Sequence, residues 1–131
     1  MKRVLAQTVA VVALVLTCQA AEELKVIPTP VGVDFFGKAY VNGTPVKPGD
    51  VITAYDPQGT LCGKFVVKKP GLFGYLCVYG DDPTTDLDEG ALPGDTISFK
   101  INGKPAKVDC PEKAIWTKNH ERFEINLFVT E

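Results

Sequence analysis

From residue 28 to residue 111, no stretch of ten residues is free of both proline and glycine. All 10 prolines and all 12 glycines fall in that span. In a helix interior glycine costs about 1 kcal/mol and proline about 3 kcal/mol relative to alanine, so this punctuation leaves no room for a long helix. The runs between the breaks are rich in Val, Ile, Phe and Tyr, and none shows a helical period of apolar residues. Short strands separated by turn signals read as an all-β sandwich or barrel. The expected strands are 34–41, 51–56, 61–67, 72–79, 96–101, 105–109 and 122–129. Asn42-Gly43 and Asn102-Gly103 suit tight hairpin turns, because both residue types tolerate positive φ. "DPQGT" and "KKPGL" supply two more turns.

Two hairpins can be registered from these turns. If "KKPG" closes a four-residue turn, Cys62 faces Cys77, Lys64 faces Tyr75 and Val66 faces Phe73. The opposite face then carries Leu61, Gly63, Phe65, Val67, Leu72, Gly74, Leu76 and Val78, which makes it the core face. If "PQGT" closes the preceding hairpin, Tyr55 faces Cys62, while Ile52 and Ala54 join the core face. Directly opposed cysteines on neighbouring strands lie near the short end of disulfide geometry, so a Cys62–Cys77 bridge is expected, with two buried thiols as the alternative. The outer face then carries Tyr55, Phe73, Tyr75 and Tyr79, a binding face unless another segment covers it.

The first twenty residues stand apart. Lys2 and Arg3 precede an apolar run of 14 residues and then Cys18 and Ala20. This is the layout of a secretory signal peptide cut after Ala20, too short for a comfortable membrane span. Thr17 is a poor fit before a lipidated cysteine, so lipid anchoring at Cys18 is the weaker reading. The expected organisation is a signal peptide at 1–20, a mobile tail or edge strand at 21–33 and one domain at 34–131. The exported chain has 111 residues with 12 basic and 16 acidic side chains. That balance, with no basic cluster beyond Lys68-Lys69, gives no attraction for nucleic acid. Cys62, Cys77 and Cys110 remain, an odd number that leaves Cys110 single if the other two pair.

Little in the chain is equipped for catalysis. His120 is the only histidine and sits in a polar segment, Ser98 is the only serine, and no nucleophile motif occurs. An enzyme is therefore not expected. The stretch 78–95 holds six carboxylates, Asp81, Asp82, Asp86, Asp88, Glu89 and Asp95, and no base. Hard oxygen donors between glycines suit calcium, and the same composition suits a solvated connection. Asn42-Gly43-Thr44 fits a glycosylation acceptor as well as a plain turn. Lys38 and Asn126 are a candidate pair for a lysine–asparagine crosslink, but no acidic partner can be placed beside them from the sequence.

"FFGKAYVNGTPVKPGDVITAYDPQGTLCGKF" and "GLFGYLCVYGDDPTTDLDEGALPGDTISFKINGKPA" resemble the carboxypeptidase-regulatory-like and prealbumin-like modules of secreted and cell-surface proteins. The resemblance covers residues 35–108 and implies an Ig-like β-sandwich of about seven strands with no catalytic residues. It implies a non-enzymatic binding or adhesion module whose partner is an extracellular protein or a carbohydrate. The alternative is a structural matrix or filament subunit in which "LKVI" adds to a neighbour's sheet edge.

Overall fold

The computed structural model describes residues 25–82, 84 and 90–131. The leader with Cys18 and the carboxylates Asp86, Asp88 and Glu89 lie outside the described residues. Nine strands are present among the described residues: β1 (Gly32–Val41), β2 (Thr44–Pro45), β3 (Val51–Tyr55), β4 (Leu61–Val66), β5 (Leu72–Tyr79), β6 (Ser98–Ile101), β7 (Lys104–Val108), β8 (Arg122–Glu124) and β9 (Leu127–Val129). The only helical turn among them is the 3-10 segment Pro111–Lys113. The fold is all-β, as the spacing of turn residues requires. None of the described helices is long and apolar enough to cross a membrane.

The strands form one curled, mixed sheet in the order β2-β1-β9-β7-β6-β3-β4, with β5 and β8 also paired to β1. β1 is the hub. Its first half is antiparallel to β5 and parallel to β8, and its second half is antiparallel to β2 and parallel to β9. The change of partner coincides with Gly37, where the ladder slips. Gly37 has φ +152, and a Cβ there would fall 1.7 Å from the Ile125 carbonyl oxygen. Only glycine fits so close an approach of two backbones.

The expected C-terminal strand 122–129 is split into β8 and β9 by Ile125 and Asn126. Ile125 is fully buried and donates its N–H to the Phe36 carbonyl (2.9 Å). Asn126 accepts from the Lys38 N–H (3.0 Å), and its own N–H and carboxamide donate to Asp109 (both 2.9 Å). Asp109 is an acidic partner of Asn126 that the sequence could not place. Its hydrogen bonds from Asn126 hold its carboxyl below the usual carboxylate range. Asn126 thereby joins three segments, and a charged Asp109 supplies no proton for amide exchange.

Alternation fills the interior. Val33, Phe35 and Ala39 of β1, Ile52 and Ala54 of β3, Leu76 and Val78 of β5, Phe99 and Ile101 of β6, and Leu127 and Val129 of β9 are all buried. Phe35 meets Phe99 edge-on at 5.5 Å and Phe123 at 6.0 Å. Such pairs add about 0.5–1.5 kcal/mol each beyond area burial. Both Asn-Gly pairs form the expected hairpin turns, with Asn42 at φ 50 and Asn102 at φ 51.

The curl brings β4 against β5 without a ladder between them. Gly63 makes this possible, because a Cβ there would meet the Cys77 carbonyl oxygen at 2.5 Å. The hairpin registered from "KKPG" is therefore not formed, and β5 pairs β1 instead. The register of β3 with β4 holds for Ile52↔Phe65, Thr53↔Lys64 and Ala54↔Gly63, then slips so that Tyr55 opposes Leu61.

Candidate functional site

The slip at Ala54/Tyr55 decides the fate of the first cysteine. Cys62 is the extra residue of the bulge, so it turns into the core, fully buried, with its thiol on the Thr60 carbonyl (3.2 Å). Cys77 lies on the other side of its sheet, opposite Asp34. No disulfide links the two, which corrects the expected bridge. Strict alternation placed both on one face, and the bulge removed one of them.

A second slip shapes β5. Phe35 opposes Leu76 and Gly37 opposes Phe73, so Phe36 alone faces Gly74 and Tyr75. Gly74 has φ +120, and a Cβ there would lie 2.3 Å from the Phe36 Cβ. The extra residue inverts the phase of the strand before it. Phe73, expected outside, is buried at 4% exposure, while Leu72, expected inside, is 46% exposed. Tyr75 stays outside at 55% exposure.

The expected aromatic face is thus divided. Phe73 belongs to the core. Tyr55 sits on β3 under the Lys100 ammonium, which lies 4.9 Å from the ring centroid. Tyr75 and Tyr79 remain on the outer side of β5 and belong to a continuous polar strip. The Phe36 ring meets Tyr75 edge-on at 5.3 Å, and the Arg122 guanidinium lies 4.7 Å from the centre of the Tyr75 ring. Arg122 also pairs with Asp34 at 3.6 Å. Asp34 in turn faces Cys77, whose thiol is pushed up to about 11 by burial first, then by the Asp34 charge. Tyr79 is raised as well, chiefly by burial and then by Cys77.

Cys77 is therefore a thiol and not a thiolate at neutral pH. Its neutral form is favoured in the fold, so the stability it contributes is present below pH 9 and is lost as pH climbs toward 11. Iodoacetamide at pH 8 should label Cys77 at least about tenfold more slowly in the native protein than in urea, because only the thiolate reacts. Equal labelling rates by mass spectrometry would show that Cys77 is not shielded in this way.

Two hollows flank Tyr75 along the β4–β5 seam. The larger, about 620 Å³, has Phe36, Phe65, Leu72 and Tyr75 as its apolar surface. Lys38, Lys68 and Lys69 stand around it, against Glu124 alone. The smaller, about 420 Å³, lies between Val26 and Pro28 of the N-terminal segment and Lys64, Val66, Tyr75, Cys77 and Tyr79. The described N-terminal segment thus borders the outer face near Tyr79. Trp116 closes the end of the core, donating to the Val78 carbonyl (2.9 Å) and contacting the space over Gly80.

The acidic stretch is only partly described. Asp82 accepts from the Thr84 N–H (2.9 Å) and hydroxyl (2.7 Å), bonds that lower its pKa, and Asp95 accepts from the Leu92 N–H (2.9 Å). The Asp81 N–H is spent on the Ala91 carbonyl (2.8 Å). Among the described residues no group of three or more His, Cys, Asp or Glu side chains could hold a metal ion. His120 is exposed, and its N–H donates to the Gly32 carbonyl (2.9 Å).

Phe36, Leu72 and Arg122 were not singled out from the sequence, and Lys38 was named only as a crosslink candidate. Phe36 could have been, since it alternates outward beside the inward Phe35. The others depend on β1 pairing with β5 and β8, which no local signal announces. No protein family, no curated protein and no solved structure matches the chain.

Proposed function

We propose that the chain is a secreted, non-enzymatic binding module and that the lysine-rimmed aromatic groove at the start of β5 is its binding face. The observation that carries this reading is the clustering of exposed apolar side chains at one seam: Tyr75, Leu72 and Val66 are 55%, 46% and 46% exposed. Scattered apolar residues on a surface need no explanation, but a contiguous set beside a concave groove marks a contact site. The rim sets the chemistry. Lys38, Lys68 and Lys69 outnumber Glu124, so the favoured partner combines acidic groups with an apolar surface, as an acidic polysaccharide or an acidic stretch of an extracellular protein does. The reading takes the curled sheet as an Ig-like sandwich of the carboxypeptidase-regulatory-like kind. That likeness supplies a framework for presenting a groove and no catalytic residue.

The experiment is a double substitution, Leu72→Ser with Tyr75→Ser, in the exported protein. Both side chains are about half exposed, so the melting midpoint should move by no more than roughly 5 °C, equivalent to about 1 kcal/mol for a domain of this size. Retention on immobilised acidic polysaccharides and on extracellular matrix protein should fall at least about tenfold, the loss of one good contact. A stable variant that is retained like the parent would sink the reading.

A structural subunit assembling by strand addition is the second reading. Among the described residues β4 pairs with β3 and β5 with β1, which leaves an edge of each outside any ladder. Size exclusion across a hundredfold range of concentration separates the two: a constant monomer counts against assembly.

A further inference from the structure

The two ends of β5 carry unlike patches. At its start lies the groove, with Phe36, Phe65 and Leu72 on its apolar surface and Lys38, Lys68 and Lys69 around it. Just past its end the Asp81 N–H donates to the Ala91 carbonyl (2.8 Å), and the residues after Ala91 close a tight turn. There the Leu92 N–H donates to the Asp95 carboxylate (2.9 Å) and the Asp95 N–H to the Leu92 carbonyl (3.0 Å). The turn is fastened to the core, since the Gly94 N–H donates to the Trp116 carbonyl (2.8 Å) and the Trp116 N–H to the Asp95 carbonyl (2.9 Å). It holds Leu92, 52% exposed, and the exposed Pro93 outward as a preformed knob near Asp81, Asp82 and Asp95. An apolar tip among carboxylates is what an apolar groove among lysines selects.

The surrounding charges keep the two patches opposite in sign. On the segment 111–121, which meets the knob through Trp116, Lys113 and Lys118 are balanced by Glu112 and Glu121. Along the seam, Glu124 stands against Lys38, Lys64, Lys68 and Lys69, and Lys25 beside Val26 adds to the basic side. The Arg122–Asp34 pair there sums to zero. One chain cannot join its own patches, because the eight residues of β5 hold them about 23 Å apart.

We propose that the groove takes the Leu92–Asp95 turn of a second copy of this chain, with Leu92 on the apolar floor and Asp81, Asp82 and Asp95 toward the lysines. This partner rests on the reading of the groove as a binding face. Because the two patches differ, the contact is heterologous. Each added copy leaves one groove and one knob open, so copies join head to tail into a ring or an open filament. A contact between one groove and one turn falls in the small, transient class, under about 1,200 Å² buried in total, so assembly is expected at about 100 μM and above.

Sedimentation of the exported protein beside two variants tests it. Lys68→Glu with Lys69→Glu spoils the groove and keeps the knob, whereas Leu92→Lys spoils the knob and keeps the groove. All three positions are exposed, so each variant should melt within a few degrees of the parent. The mean mass of the parent should rise with concentration and return to that of the monomer in 1 M salt, where the screening length is about 3 Å. Each variant alone should stay monomeric. Their equimolar mixture should give a one-to-one dimer that grows no further, because the intact knob of the first fits the intact groove of the second and the other two patches are spoiled. A parent that stays monomeric up to about 1 mM, the weak end of measurable affinity, overturns the proposal. So does a variant that assembles alone as the parent does, which would put the contact on a strand edge or another surface, and so does a mixture without dimer. If assembly fails in these ways while retention on polysaccharide still depends on Leu72 and Tyr75, the second copy is the wrong partner and the binding face stands. If neither assembly nor retention depends on the groove, the binding face falls with it.

Discussion

Gly37→Ala should lower the melting midpoint by about 16 °C or more, the equivalent of roughly 4 kcal/mol for a domain near 100 residues. Two costs add. The residue sits at φ +152, where a side chain is strained by about 1–3 kcal/mol. Its new Cβ would also lie 1.7 Å from the Ile125 oxygen and 2.8 Å from the carbonyl carbon, and overpacking of that kind typically costs about 1–3 kcal/mol. The neighbour cannot yield cheaply. Ile125 is held by its bond to the Phe36 carbonyl, and Asn126 by Asp109 and the Lys38 N–H. Gly43→Ala is the control. Gly43 has φ +78 but nothing within 4 Å of an added Cβ, so it carries only the backbone cost of about 1 kcal/mol. Circular dichroism melts of the two variants should differ by at least about 10 °C. If they coincide, the close crossing of β1 and the C-terminal strand is not what fixes the glycine.

Trp116→Ala should cost about 3–5 kcal/mol, the usual range for deleting a buried aromatic ring. Trp116 is 4% exposed, its indole donates to the Val78 carbonyl, and its ring fills the space over Gly80. Its backbone is also held, since its N–H donates to the Asp95 carbonyl (2.9 Å) and its carbonyl accepts from the Gly94 N–H (2.8 Å). Trp116→Phe separates the two contributions. It keeps most of the ring and leaves the Val78 carbonyl without its donor, which should cost about 1–3 kcal/mol. Urea unfolding monitored by circular dichroism measures both. A Trp116→Ala loss under about 1 kcal/mol, far below the usual range, would place the indole outside the core.

The strands were legible because turn residues and alternation are local signals. All seven expected segments are strands to within a few residues, with the two-residue β2 added and the last one divided. Ile52, Ala54, Leu76 and Val78 face inward as their alternation predicts. The misplacements all arose at bulges. One extra residue in β4 and one in β5 invert the phase of the adjoining strand residues, and this moved Cys62 and Phe73 from the outer face to the core. Gly74 carried a hint, since glycine within a strand often marks a bulge. The candidate groove was half legible. Tyr75 and the Lys68-Lys69 turn stood out in the sequence, whereas Phe36, Leu72 and Arg122 reach the site only through pairings of β1 with β5 and β8. Such long-range partners leave no trace in local composition.

The position of β1 between elements from the middle and the end of the chain bears on the order in which the protein can fold. Lys38 and Asn126 are 88 residues apart in sequence, and the strands around them are direct neighbours. During synthesis β1 can meet β2 and later β5, but one of its edges stays bare until residues 122–129 are available. β7 waits for the same segment. Early hairpins therefore form without the packing that would retain them, and the loop-closure entropy is met only when the last strand docks. Topologies dominated by such non-local pairings fold in milliseconds to seconds. A chain of this sequence that stops short of residue 122 is, on this account, still unfolded.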